Sequence, residues 1–155
     1  MYQSQTMKKP LTLCIAMFAF LTAFSQAKEP VKWSAAYKSI SATEGEIVVT
    51  ALIDKGWHTY SQKPTKDGPV PTAFMFTESK QYSLVGKTEE TNPHEEFDTA
   101  FGAKVAMFSD KAEFKQKVKF TGKAGFSIAF KVEFMSCDNN MCLPPKTIDL
   151  SVKTQ

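Results

Sequence analysis

The chain has 155 residues and a formal net charge of +3, a length suited to one domain. All 19 of its basic residues are lysine. A nearly balanced surface without guanidinium forks is poorly suited to a phosphate backbone, so nucleic acid is not an expected partner.

Lys8 and Lys9 precede an apolar run from Leu11 to Phe24, and Ser25-Gln26-Ala27 follows with small residues. That is the layout of a secretory signal peptide over residues 1–27. This run of fourteen residues falls short of the ~20 that a spanning helix needs. Cys14 follows bulky Leu13, which makes it a poor lipoprotein site, and Met7 offers an alternative start. Cleavage after Ala27 leaves a domain over 28–155. Removing Lys8 and Lys9 takes the basic residues to 17 against 16 acidic ones, and two cysteines remain of three. An exported chain sits where a disulfide can form and persist.

The mature segment reads as strands and turns. Val31, Trp33 and Ala35 alternate with polar neighbours, as does Glu46–Ile53 after the turn residues Thr43-Glu44-Gly45. Trp57–Tyr60, Thr72–Phe76, Tyr82–Val85 and Lys104–Ser109 are further strands, followed by Ala112–Phe120, Phe126–Phe134 and Thr147–Lys153. The clearest period of two is in Phe126, Ile128, Phe130, Val132 and Phe134, which fall on one face. No stretch sustains helical spacing over three turns. Eight or nine strands with phenylalanine-rich faces predict an all-β sandwich or barrel in which two sheets share one interior. Lys63–Pro71 holds three prolines and a glycine and reads as a loop. Thr88–Thr99 is acidic, lacks alternation and reads as a solvated connection.

The segment Phe134-Met135-Ser136-Cys137-Asp138-Asn139-Asn140-Met141-Cys142-Leu143-Pro144-Pro145 carries the chemistry. Asp-Asn-Asn is turn-forming, and a turn there brings both sulfurs within disulfide reach, with Cα atoms about 4.4–6.8 Å apart. As a staple the bridge does little. Closing a six-residue loop removes roughly 2 kcal/mol of unfolded-state entropy, against about 4.7 for a 100-residue loop. A tight bridge at a sheet end is expected to be exposed and easily strained, which favours exchange chemistry over a purely structural role. Pro144-Pro145 holds the chain extended beyond Cys142 or simply stops it before the last strand.

Cys-x4-Cys-Leu-Pro-Pro-Lys, followed by a last strand, resembles the N-terminal periplasmic domain of the DsbD family of thiol:disulfide interchange proteins. Gly56-Trp57-His58-Thr59-Tyr60 is similar to that domain's aromatic strand, and His94-Glu95-Glu96-Phe97 to its acidic cap loop, with Phe101-Gly102 a rival match. The likeness runs through nearly the whole mature chain. It implies a periplasmic, monomeric, immunoglobulin-like β-sandwich with the cysteine pair at one end. It also implies an electron shuttle: a thioredoxin-like protein reduces the pair, and the pair reduces exported thiol–disulfide proteins, a client group that extends to cytochrome c biogenesis. By the same resemblance Cys142 forms the mixed disulfide and Cys137 resolves it. Tyr60 and His58 line the site, Glu95 or Glu96 sits close to the sulfurs, and Phe97 or Phe101 shields them. This chain has four residues between its cysteines where family members often have five. It stops at Gln155 without a thioredoxin-like domain, so a separate donor is expected.

An isolated cysteine has a pKa of ~8.5, and no helix N-terminus is evident to lower it. The acidic run Glu95, Glu96 and Asp98 is expected to disfavour a bare thiolate until a partner displaces the loop, when a carboxylate can accept the proton. No cofactor is expected, and no zinc-site spacing occurs. One competing reading is a Cu(I) site from Met135, Cys137, Met141 and Cys142, assisted by His58 or His94. Another is an interaction sandwich with an inert bridge. Hydrolysis and phosphoryl transfer lack a motif.

Overall fold

The computed structural model describes Met1 and residues 28–155, so the expected leader lies, apart from Met1, outside the described residues. The described residues form eleven strands and no helix: β1 Val31–Ser39, β2 Glu44–Ile53, β3 Trp57–Tyr60, β4 Ala73–Phe76, β5 Tyr82–Glu90, β6 His94–Asp98, β7 Ala103–Ser109, β8 Lys111–Phe120, β9 Ser127–Phe134, β10 Ser136–Asp138 and β11 Lys146–Lys153. They pair as three antiparallel sheets in the orders β1-β2-β8-β5, β11-β9-β4 and β10-β3-β7-β6.

Alternation builds the core. Ile47, Val49, Ala51 and Ile53 of β2 and Phe114, Val118 and Phe120 of β8 turn inward from the first sheet. Ile128, Phe130, Val132 and Phe134 of β9 meet them from the second. Trp33 ties the two together, with ring centroids 5.8 Å from Phe114 and 5.1 Å from Phe134. Each such buried Val, Ile or Phe side chain contributes about 1.5–3 kcal/mol relative to an exposed one.

The third hydrogen-bonded sheet goes beyond the two expected. After β2, Asp54-Lys55-Gly56 turns the chain, with Gly56 at φ 81° and the Trp57 N–H donating to the Asp54 carbonyl. Only glycine takes that backbone without strain. β3 thereby leaves the first sheet and seeds the third. Trp57 and Phe108 send one face of this sheet into the main core. Tyr60, Val105, Met107 and Cys137 form a second apolar cluster on its other face.

Two readings of the sequence are corrected here. Thr88–Thr99 is not a loop, because β5 continues to Glu90, Asn92 takes a left-handed turn at φ 52°, and β6 occupies His94–Asp98. β6 is an edge strand exposed on both faces except at Asp98, so it carries no apolar alternation. The extension of β5 depends on buried Gln116 of β8, which donates to the Val85 and Lys117 carbonyls and accepts from the Thr88 hydroxyl across the irregularity between Val85 and Glu89. The second correction is β10. The strand Phe126–Phe134 is followed after Met135 by a short separate strand, which changes sheets while the Thr59 hydroxyl holds the Met135 carbonyl at 2.8 Å.

Candidate functional site

β10 places Cys137 directly opposite His58 of β3. The turn beyond it is closed by Asp138, whose Oδ1 accepts the N–H groups of Asn140 and Met141, each at 2.8 Å. Those two donors hold the Asp138 carboxyl below the usual carboxylate range. The chain reverses within four residues, and Cys142 comes to lie against Cys137 as an antiparallel bridge partner. The two are disulfide-bonded with Cα atoms 4.0 Å apart. The bridge is not exposed throughout, as the sequence reading expected. Cys137 is 1% exposed, covered by Tyr60, Val105 and Met107, whereas Cys142 is half-buried at the surface. Cys142 lines a cleft of about 910 Å³ between the Asp138–Met141 turn and the turn that joins β6 to β7.

The buried sulfur has a polar neighbour. The Tyr60 hydroxyl lies 3.0 Å from Cys137 Sγ, 2.6 Å from Asp98 Oδ2 and 3.1 Å from His58 Nε2. A phenol has one proton, and the carboxylate at 2.6 Å takes it, because hydrogen bonds to charged acceptors are the shorter and stronger kind. Asp98 Oδ1 accepts the Ala100 N–H at 2.8 Å, the Asx turn that starts the β6–β7 connection. Burial by itself would raise the Asp98 pKa. The hydrogen bonds from Tyr60 and from the Ala100 and Phe101 amides outweigh it, with help from His58, and the carboxyl titrates below its ordinary range. Burial, reinforced by Asp98, pushes the Tyr60 phenol far above its ordinary range. Burial also lowers the His58 pKa, against the pull of Asp98. At neutral pH the cluster therefore holds a carboxylate, a phenol and a neutral imidazole.

These directions give a stability prediction. A depressed His58 pKa means that the unfolded chain takes up the proton first, so stability falls as pH drops from about 6.5 toward the folded value. A depressed Asp98 pKa adds stability above about 3.9 that is lost as pH falls through its own folded value. Both effects have the same sign. Thermal melting across pH 7 to 3 should show a falling midpoint in two stages, and Asp98→Asn should flatten the more acidic one.

The register explains where the other residues fall. His94, Glu96 and Asp98 pair with Met107, Val105 and Ala103 and share the face of Tyr60, which itself pairs with Met107. Glu95 and Phe97 pair with Ala106 and Lys104 and take the opposite face. Glu95 ion-pairs with Lys104 at 2.9 Å, away from the sulfurs. Glu96 pairs with His94 at 3.4 Å in solvent and reaches only the cleft rim. Phe97 is 62% exposed, while Phe101 packs against the cysteine cluster, edge-on to Tyr60 at 6.1 Å. The structure thus brings together Cys137, Cys142, Tyr60, His58 and Phe101. Of the expected acidic run Glu95, Glu96 and Asp98, it is Asp98 that contacts them, with Met107 and Val105 beneath. Strand parity in β6 singles out Asp98, and that parity is invisible when the segment is read as a loop.

One buried and one cleft-lining cysteine form a disulfide in an all-β scaffold, and the family profile that this chain matches is that of a thiol–disulfide exchange domain. The chain belongs to the family described as thiol:disulfide interchange protein DsbD, N-terminal, whose profile matches residues 27–154. Among solved structures it is similar to the Neisseria meningitidis DsbD N-terminal domain in the reduced form, with TM-score 0.54 and 15% identity over 79% of this chain and 83% of that one. It is also similar to the N-terminal periplasmic domain of ScsB from Proteus mirabilis, with TM-score 0.56 and 22% identity over 79% of this chain and 45% of that one. A third likeness is to the complex of the DsbD and PilB N-terminal domains from Neisseria meningitidis, with TM-score 0.50 and 13% identity over 77% and 80% of the respective chains. At these identities the likeness establishes the fold, an immunoglobulin-like β-sandwich. No curated protein sequence matches the chain.

Proposed function

We propose that this domain passes electrons in the periplasm from a thioredoxin-like protein or domain to exported thiol–disulfide proteins, with Cys142 as the exchanging sulfur and Cys137 as the resolving one. The observation that carries this reading is the unequal burial of the bridge, because only Cys142 offers an approach to an incoming thiolate. The periplasmic setting is supported by the leader motif and by the periplasmic ScsB relative. A thioredoxin-like partner accords with the family, one of whose domains is solved in complex with the PilB N-terminal domain.

Reduction begins when a partner thiolate attacks Cys142 Sγ. The S–S bond breaks and its electron pair leaves on Cys137 Sγ, 3.0 Å from the Tyr60 hydroxyl. That hydroxyl turns its hydrogen bond toward the new anion, and Cys137 then takes up a proton from solvent. The partner's second thiolate then attacks its own sulfur in the mixed disulfide and releases Cys142. Delivery to a client reverses the sequence: Cys142 attacks the client disulfide, and Cys137, its proton released to solvent and its thiolate held by the Tyr60 hydroxyl, displaces the reduced client. Phe101 packs against the cluster from the β6–β7 turn and shields the pair in part until a partner displaces it.

The test is trapping. Thioredoxin lacking its resolving cysteine, activated with 5-thio-2-nitrobenzoate, should form a stable mixed disulfide with reduced Cys137→Ser and little with Cys142→Ser. Equal capture by the two variants, or capture by neither, would remove the proposed roles.

A further inference from the structure

We propose that the reduced pair is also a Cu(I) site, in which the thiolates of Cys137 and Cys142 are joined by the thioethers of Met107 and Met135. The sequence places Met135 and Met141 near the cysteines, but Met141 is 51% exposed on the turn. The fold supplies a different sulfur from β7. Met107 is buried opposite Tyr60, whose hydroxyl is in contact with Cys137 Sγ. Met135 lies two residues before Cys137, its carbonyl fixed by Thr59, and it packs against the same cluster. Four sulfur side chains from three segments thus converge on one small apolar cluster.

The donor set selects the ion. Thiolate and thioether are soft ligands, suited to Cu(I) rather than to zinc, calcium or magnesium. The harder groups nearby are already engaged, Asp98 with Tyr60 and Ala100, and His58 with Tyr60. Among the described residues no three His, Cys, Asp or Glu side chains gather to form a conventional metal site. Cys142 and Met107 both line the cleft, which gives an ion a route from solvent. Binding releases two thiol protons per ion and leaves copper as Cu(I), so no electron changes hands. The disulfide form has no thiolate to offer, and copper uptake is therefore gated by the oxidation state of the pair.

The reduced protein, titrated without oxygen with Cu(I) against the chelator bathocuproine disulfonate, should retain one ion per chain, and the disulfide form none. Met107→Leu and Met135→Leu conserve volume and apolarity. At least one should weaken Cu(I) binding about tenfold or more. X-ray absorption on the wild-type complex should count more than two sulfur neighbours, a readout that needs no variant to fold. The proposal is overturned if the reduced wild type retains no copper, if both leucine variants bind as tightly as wild type, or if two sulfurs account for the spectrum. None of these readings depends on a protein partner, so failure of the electron-transfer role would be seen separately, in the trapping assay.

Discussion

Cys142→Ser will reduce thiol–disulfide exchange to the uncatalysed background, whereas Cys137→Ser will still complete the first step and stop at the mixed disulfide. The two variants form a matched pair. Each loses the same bridge closing the same short loop, so each should lose about 2 kcal/mol of stability, visible as similar falls in melting temperature. Any difference in reactivity must then come from the surroundings of the remaining sulfur. In Cys137→Ser the remaining thiol borders the open cleft, and its thiolate is available to attack. In Cys142→Ser the remaining thiol is enclosed by Tyr60, Val105 and Met107, and burial opposes its ionisation. The rate of 5-thio-2-nitrobenzoate release from activated thioredoxin measures the difference directly. A Cys142→Ser rate comparable with that of Cys137→Ser would mean that the buried sulfur reaches partners as readily as the exposed one. The asymmetry would then have no mechanistic role.

The parts of this molecule that alternate were legible before any coordinates. The strands built on Ile47 to Ile53 and on Phe126 to Phe134 bury one face and wet the other, and their boundaries fall within a residue or two of the structure. Trp57–Tyr60 was equally plain, because its aromatics sit between turn residues. The cysteine turn was readable from Asp138-Asn139-Asn140, where the Asp138 carboxylate accepts the hydrogen bonds that bring Cys142 back. The edge strand β6 was not legible. It has solvent on both sides, so nothing forces apolar residues onto either face, and its regularity comes from backbone pairing with β7 alone. That one misreading hid the site's carboxylate, since choosing among Glu95, Glu96 and Asp98 requires knowing which side chains share a face with Tyr60. Met107 was hidden for a related reason. It lies 30 residues from Cys137, and only the β3–β7 register brings it to the sulfurs.

Tyr60→Phe and Asp98→Asn should move the rate of disulfide reduction in opposite directions, although both break the same hydrogen bond. Tyr60→Phe keeps the ring packed against Phe101 and removes only the hydroxyl. The thiolate leaving on Cys137 then loses its nearest donor, and hydrogen bonds to charged groups are worth about 1.5–3 kcal/mol, so reduction by dithiothreitol should slow roughly ten- to hundredfold. The same change leaves the buried Asp98 carboxylate without its 2.6 Å partner, at a cost of about 1–3 kcal/mol in stability, and its pKa should rise because burial is less opposed. Asp98→Asn instead removes the negative charge that would repel the leaving thiolate and frees the Tyr60 proton for the sulfur, so reduction should accelerate. Its stability cost should be smaller, because the amide oxygen can keep the Ala100 N–H while the NH2 group donates to the Tyr60 oxygen. The double variant should be more stable than the two separate losses imply, by a coupling of roughly 0.5–3 kcal/mol, since no unpaired carboxylate remains. If both single variants slow reduction equally, Tyr60 and Asp98 serve only to hold the β6–β7 turn in place, and the Cys137 thiolate must be stabilised by other groups.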